Sequence, residues 1–321
     1  MWVGCTGTHY PPYPHLLNDS DISLALRSLH RNEALSFYIA ISPWLVGFLL
    51  FTVGPMMISL LISFTDWDLL TAPLWVGLDN YRDLAMDPLF IQSIKVTLAY
   101  TAVYVPLDLV GGLLLALLVL PRFKGVGAFR TIFYMPTVFS GVAFVVVWLW
   151  MLNPNGGLIN LTLGWFGIVG PRWLLDPNYA LWALVMMSFW GWGRSMALYL
   201  GGMQSIPGEL YEAAAMDGAD SFRQFFTITL PLLSPTIFFI LVLSVITTFQ
   251  SFTSAFVATN GGPLDSTLFL VLYIYRQAFE FFNMGYAAAM SWVLFAIIMT
   301  LTVLLMRSQK FWVFYLGGRS E

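Results

Sequence analysis

Apolar residues run through this chain in long uninterrupted blocks with no sign of strand-like alternation. Between Ala34 and Thr65 there is no charged residue at all. About 20 apolar residues are enough for one helix to cross the hydrocarbon core of a bilayer. The blocks predict six transmembrane helices, at about 37–64, 95–119, 130–152, 179–203, 232–257 and 285–307. The uncharged run from Thr131 to Pro171 is longer than one crossing, and the turn residues Asn153-Pro-Asn-Gly-Gly157 divide it. A further apolar stretch, Thr267–Phe282, is interrupted by Arg276 and Glu280 and is expected on the outer surface against other helices or the membrane interface. The expected fold is an all-α integral membrane protein.

Positive charge orients the six helices. An even number places both termini on one side. Arg27, Arg31, Arg122, Lys124, Arg130, Arg223, Arg307, Lys310 and Arg319 fall on that side, and Arg82, Lys95, Arg172 and Arg276 fall on the other. This excess predicts cytoplasmic N- and C-termini. The outer loops then carry Asp66, Asp68, Asp79, Asp83 and Asp87, either as a solvated face or as a docking surface for an extracytoplasmic protein. Residues 1–34 lack a basic n-region and contain Pro11, Pro12 and Pro14, so a cytoplasmic tail is expected in place of a signal peptide. The expected organisation is a tail at 1–34, a membrane domain at 35–308 and a second tail at 309–321.

Composition agrees. Hydrophobic residues make up 59% of the 321 and charged residues 10%, against about 25% charged in a soluble domain. The net charge of -3, with no basic tract, gives no reason to expect nucleic acid as a partner. Cys5 is the sole cysteine, and His9, His15 and His30 match no metal-ligand spacing, so no metal site is expected. There is no G-x-x-x-x-G-K-[ST] phosphate loop, and the lysines are only Lys95, Lys124 and Lys310. No catalytic residues and no cofactor are expected in this chain. Energy must come from a partner or from an ion gradient.

The segment between the fourth and fifth predicted spans is the most specific. It reads Glu212-Ala-Ala-Ala-Met-Asp-Gly-Ala-Asp-Ser-Phe-Arg-Gln-Phe-Phe-Thr-Ile-Thr-Leu-Pro231. Pro207 suits the first turn of a helix, and Glu209 and Glu212 lie near its positive N-terminus. Leu210, Ala213, Ala214 and Asp217 recur at helical spacing and share one face. Gly218 can take the left-handed conformation that ends the helix. Asp220 is placed to cap a second helix over 221–229, with Phe222, Phe225 and Phe226 facing apolar partners and Pro231 marking entry to the next span. Together these residues predict an exposed elbow suited to docking a second protein.

The order E-A-A-x-x-D-G-A followed by I-x-L-P closely resembles the EAA loop of binding-protein-dependent ABC importers. Weaker segments in the same order extend the resemblance over most of the chain: Phe64-Thr-Asp-Trp67, Trp75-Val-Gly-Leu-Asp-Asn-Tyr81, Asn153-Pro-Asn-Gly-Gly-Leu-Ile-Asn160, Thr259-Asn-Gly-Gly-Pro263 and Met284-Gly-Tyr-Ala-Ala-Ala289. The branch it resembles is the maltose- and glycerol-phosphate-type sugar permeases. The resemblance implies a type I ABC importer permease in the bacterial cytoplasmic membrane, with a coupling loop at 205–231. It also implies a second homologous permease subunit, two copies of a cytoplasmic ATPase subunit that bind ATP and Mg, and an extracytoplasmic solute-binding protein. Leu210, Glu212, Ala213, Ala214, Asp217 and Gly218 would receive the ATPase.

In maltose-type permeases the solute contacts fall on the fourth and fifth spans. By distance from Ile206-Pro207, Gly191 matches a contact glycine and Arg194 replaces a contact tyrosine. By distance from Gly261-Gly262-Pro263, Ser244 matches a contact serine and Thr248 replaces an asparagine. The fifth span adds Thr247, Gln250 and Ser251, and the fourth adds Trp190 and Trp192, which serve as packing residues or as sugar platforms. An arginine within a span normally faces the interior or a cavity. Arg194 therefore either binds an anionic solute group in its guanidinium fork, pairs with Asp108, or caps backbone carbonyls. The anionic option suggests an acidic oligosaccharide or a sugar or polyol phosphate. The competing reading is an ion-coupled secondary transporter using Asp108 and Arg194, which leaves the elbow unexplained. A membrane enzyme would need paired acids or a nucleophile in one cavity, and the spans supply one acid and no histidine.

Overall fold

The computed structural model describes residues 36–120, 124–139 and 141–315. The expected tail at 1–34, with Cys5 and the three histidines, lies outside the described residues, as do Arg122 and Arg319. The chain divides into two compact units, 1–59 and 60–321.

Helix α1, Ser36–Ile62, supplies the described part of the first unit. Pro55 has no N–H to donate, and the helix absorbs this as a π-helical turn over Leu49–Val53, in which the Gly54 amide bonds the Leu49 carbonyl. One widened turn re-satisfies carbonyls that a proline would otherwise strand.

The second unit is a bundle around α3, Pro88–Val119. Asp87 starts this helix by accepting the Leu89 amide at 2.8 Å, with Pro88 in the first turn. Before it lie a two-residue hairpin, β1 (Thr65–Asp66) antiparallel to β2 (Leu74–Trp75), and α2, Asp79–Met86. After it come α4 (Val126–Tyr134), α5 (Gly141–Met151), α6 (Leu158–Trp165), α7 (Pro177–Ser188) and α8 (Trp192–Gln204). Then follow α9 (Gly208–Met216), α10 (Ser221–Phe249), α11 (Thr253–Ala258), α12 (Leu270–Tyr275) and α13 (Met284–Trp312).

Among the described residues, four helices are long and apolar enough to cross a membrane: α1, α3, α10 and α13. The α4–α5 pair would make a fifth if it counts as one span. The expected third and fourth spans are therefore not single helices. The third breaks after the 3-10 turn Met135–Val138, where Pro136 cannot continue an α-helix, and α4 and α5 meet at 103°. The fourth breaks at the 3-10 turn Phe189–Gly191, in a Trp190-Gly191-Trp192-Gly193 run whose glycines have poor helix propensity. The expected fifth span also shifts. It starts at Ser221, stops at Phe249, and leaves Ser251 in a turn before α11. The apolar stretch 267–282 divides: Leu268, Phe269, Leu270 and Leu272 are fully buried, while Phe279, Phe281 and Phe282 are exposed.

Helix α3 runs antiparallel to α10. Its buried Thr101 donates to Thr248, and Asp108 receives Ser244. Thr97 accepts the Leu270 amide at the start of α12. Gly112 brings α8 close, since a Cβ there would fall 2.6 Å from the Cβ of Ser195. One end of the bundle thus gathers the start of α3, the end of α10 and the start of α13. The other gathers the end of α3, the start of α10 and the end of α13, where the Phe314 amide bonds Ser234 Oγ at 2.8 Å.

Candidate functional site

The two broken spans face each other across a cavity of about 270 Å³. Pro136, Phe139 and Gly141 line it from the α4–α5 break, and Ser188, Trp190, Gly191 and Arg194 from the α7–α8 break. Irregular backbone at membrane depth is tolerated where it is buried in protein or lines a cavity, so the breaks and the cavity belong together. Helix α3 adds Tyr100 and Tyr104, α5 adds Phe144, the end of α10 adds Thr247 and Thr248, and the segment after it adds Ser251.

Much of the wall is aromatic. Tyr100 and Tyr104 stack with centroids 5.6 Å apart. Trp190 is held edge-on by Phe144 at 5.7 Å and tilted against Trp148 at 5.3 Å. Trp192 turns away and packs against Phe189 and Gly111, so of the two tryptophans only Trp190 is in place as a platform. The polar groups are hydroxyls and one charge. Arg194 is exposed, and its guanidinium lies beside the Tyr104 hydroxyl.

Four of the five expected solute residues (Gly191, Arg194, Thr248 and Ser251) meet in this cavity. Ser244 does not. It lies in a second, much smaller cavity of about 20 Å³ with Asp108, Ser195 and Thr247, which Arg194 also borders. There Ser244 donates to Asp108 Oδ2 at 2.6 Å, and Ser195 lies 2.9 Å from both carboxylate oxygens. The expected alternative that Asp108 pairs with Arg194 does not hold in this structure: the ion pairs among the described residues are Arg82–Asp79 and Arg276–Asp265. Sequence reasoning missed Tyr100 and Tyr104, and it missed that Ser195 bonds Asp108. The first two precede Asp108 at i, i+4 and i+8, one face of one helix, and that spacing could have found them. Ser195 gave no local signal.

The elbow stands at the far end of α8 and α10. Helix α9 begins after Pro207, which is its extended cap and not its first helical residue. It ends in a complete Schellman arrangement: the Ala219 amide bonds the Ala214 carbonyl at 2.9 Å and the Gly218 amide the Ala215 carbonyl at 3.0 Å. Gly218 takes φ +78°, as that motif requires. Asp220 caps the next helix through the Arg223 amide at 2.9 Å. That helix does not stop at Pro231. A π-helical turn over Phe225–Thr229 absorbs the missing amide, and the elbow runs unbroken into α10. Leu210, Glu212, Ala213, Asp217 and Gly218 are exposed and Ala214 is half-buried. Phe222 and Phe226 cluster on the same exposed corner, 4.7 Å apart. Among the described residues, the side-chain hydrogen bond that ties α9 back is that of Tyr211 with Thr229, at 2.9 Å.

At the opposite end Asp87 gathers three elements. Besides the Leu89 amide it accepts the Tyr273 hydroxyl at 2.6 Å and the Tyr286 hydroxyl at 2.8 Å. Partial burial pushes its carboxyl pKa up, but these hydroxyls and the Leu89 and Phe90 amides outweigh burial and hold it below the ordinary value.

Comparison with known proteins agrees with the fold. Residues 108–313 match the family described as binding-protein-dependent transport system inner membrane component. The chain is 43% identical over 303 residues to the probable ABC transporter permease protein YesP of Bacillus subtilis (strain 168), covering 93% of this chain and 97% of that one. It is 34% identical to the lactose transport system permease protein LacF of Rhizobium radiobacter, covering 86% and 95%. Among solved structures, a chain of a bacterial ABC transporter involved in the import of the acidic polysaccharide alginate superposes with a TM-score of 0.78 at 25% identity, covering 89% of this chain and 98% of that one. The chain belongs to the binding-protein-dependent transport system inner membrane components, the permease subunits of ABC importers.

Proposed function

We propose that this chain forms one side of the translocation path of an ATP-driven importer for an acidic saccharide, and that the cavity at the broken spans is its solute site. Arg194 carries the reading: a cation in an aromatic-walled cavity within the apolar bundle, with no carboxylate paired to it among the described residues. An unpaired charge there is disfavoured, and an anionic group on the solute would complete it during transit. Trp190 would stack on a sugar face while Thr247, Thr248 and Ser251 bond its hydroxyls. The similarity to a permease of an alginate importer supports the acidic class, and a sugar or polyol phosphate would satisfy the same fork.

In this reading the exposed face of α9 (Leu210, Glu212, Ala213, Ala214, Asp217 and Gly218) docks one of two ATPase subunits, which bind the ATP and Mg. A second homologous permease closes the path, lipid surrounds both, and a solute-binding protein docks on the acid-rich opposite end. The termini and the elbow are cytoplasmic, as the distribution of Lys and Arg implies. The test is ATP hydrolysis by the reconstituted complex with its binding protein. Uronate oligomers should stimulate it, neutral hexose oligomers of equal length should stimulate it less, and Arg194→Gln should erase the difference. If Arg194→Gln keeps the parent's preference for the anionic oligomer, the acidic reading fails.

A further inference from the structure

Arg194 borders two cavities, the solute cavity and the small one around Asp108. Asp108 is 3% exposed, and its partners are two serine hydroxyls. Each hydroxyl has one proton to give, and that of Ser195 is shared between both carboxylate oxygens. A carboxylate has about four acceptor positions, so Asp108 keeps room for a further donor. The neighbour that can fill it with charge is Arg194, which adjoins Ser195 in the chain and lines the same small cavity. Tyr104, beside which the guanidinium lies, precedes Asp108 by four residues of α3, about 6 Å along the axis, so the two partners stand within about one turn of each other.

We infer that Asp108, clamped by Ser195 and Ser244, is the standby counter-charge of Arg194. Arg194 turns to the solute's anionic group when the cavity is loaded and passes through a pair with Asp108 as the solute leaves, before its guanidinium settles beside Tyr104 as in this structure. This rests on the acidic-solute reading and adds a regulator to it. Asp108 then competes with the solute for one guanidinium, setting how tightly the cavity holds anions and helping to release them. The two serines tune the competition. By stabilising the carboxylate without Arg194, they keep the standby pair from becoming permanent.

The test compares variants by the uronate-oligomer concentration that half-saturates ATP hydrolysis in the full complex, with a neutral oligomer as reference. Asp108→Asn removes the competing charge and keeps the side chain's size. It should lower the half-saturating concentration for the anion by at least about fivefold, the lower end of typical coupling between sites, and lower the maximal rate as release slows. The neutral oligomer should be unaffected. Ser244→Ala leaves both charges and weakens the clamp, so it should shift the anion in the opposite direction. If Asp108→Asn does not assemble, Ser244→Ala alone decides by that sign. An unchanged ratio of anionic to neutral half-saturation in the variants that assemble overturns the inference. If Arg194→Gln still erases anion preference in that case, the acidic reading survives and only the standby role falls.

Discussion

The turn of the elbow and the opposite end of the helical bundle are shaped by different kinds of hydrogen bond. At the elbow, the bonds that shape α9 and the start of α10 join residues three to five apart: Asp217 to Ala213, Ala219 to Ala214, Arg223 to Asp220. At the other end, Asp87 reaches Tyr273 and Tyr286 across 186 and 199 positions, and the hairpin carbonyl of Trp67 receives the Met284 amide at 2.9 Å. A locally built element can keep its own shape while it moves as a lever. A collar of distant contacts ties the starts of α3 and α13 to α12 and holds that end together. An importer that receives force at one end and docks a carrier at the other can use both properties.

The comparison is broken most severely at Gly285. A Cβ there would fall 1.8 Å from the Thr65 carbonyl oxygen, a backbone atom that cannot swing aside. Gly285→Val must push β1 off the start of α13. Overpacking costs typically about 1–3 kcal/mol and occasionally more, and with backbone as the obstacle the upper end is expected. Thermal unfolding of the detergent-purified complex, with the yield of assembled complex, is the measurement. Parent-like behaviour in both would show that the collar is loose.

Asp87→Asn is the milder break at the same end. It weakens charge-assisted bonds to two tyrosine hydroxyls and a helix cap, and hydrogen bonds to charged groups contribute about 1.5–3 kcal/mol each at most. A loss of about 2 kcal/mol is expected, smaller than for Gly285→Val. The pH dependence has a definite sign. The folded pKa of Asp87 is depressed, so its stabilisation is fully present above the unfolded value of about 3.9 and is lost as pH falls through the folded value. The parent's advantage over Asp87→Asn should be constant at neutral pH and shrink below about pH 4. An advantage that instead grew on acidification would contradict the hydrogen-bonded carboxylate.

The same distinction decides what the sequence could reveal. Gly218 and Asp220 announce their roles because the groups they satisfy lie within a few residues, and the structure places both as expected. Arg194 and Asp108 stand out because a charge inside an apolar block is conspicuous wherever its partner lies. Their surroundings do not. Ser195 looks like any helix serine until α3 is laid beside it, and nothing local joins Thr101 to Thr248. The broken spans escaped for another reason. Pro136 and the Trp-Gly-Trp-Gly run sit in blocks apolar enough to cross a membrane, and hydropathy measures length and polarity but not continuity. Pro231 misled in the opposite direction, since a π-helical turn carries the helix past it.

The smallest effect on stability, with the largest on function, is expected at the elbow. Glu212 is exposed and carries no hydrogen bond or ion pair to another side chain among the described residues, so Glu212→Ala should change stability by no more than about 0.5 kcal/mol. Gly218→Pro is harsher locally, because proline cannot reach φ +78° and loses the amide that bonds Ala215. A forced conformation of this kind costs about 1–3 kcal/mol, confined to an exposed segment that the Tyr211–Thr229 bond ties back. Both variants should therefore insert and assemble, yet hydrolyse ATP without moving solute. Measuring transport and hydrolysis together in one vesicle preparation separates this from simple loss of protein. Normal coupling in both variants would remove the elbow as the transmission element. In a Cys5→Ser background, Ser221→Cys should resist an impermeant thiol reagent applied to intact cells while Asp79→Cys reacts. Labelling of Ser221→Cys from outside would place the lever on the wrong side of the membrane for an ATPase to push.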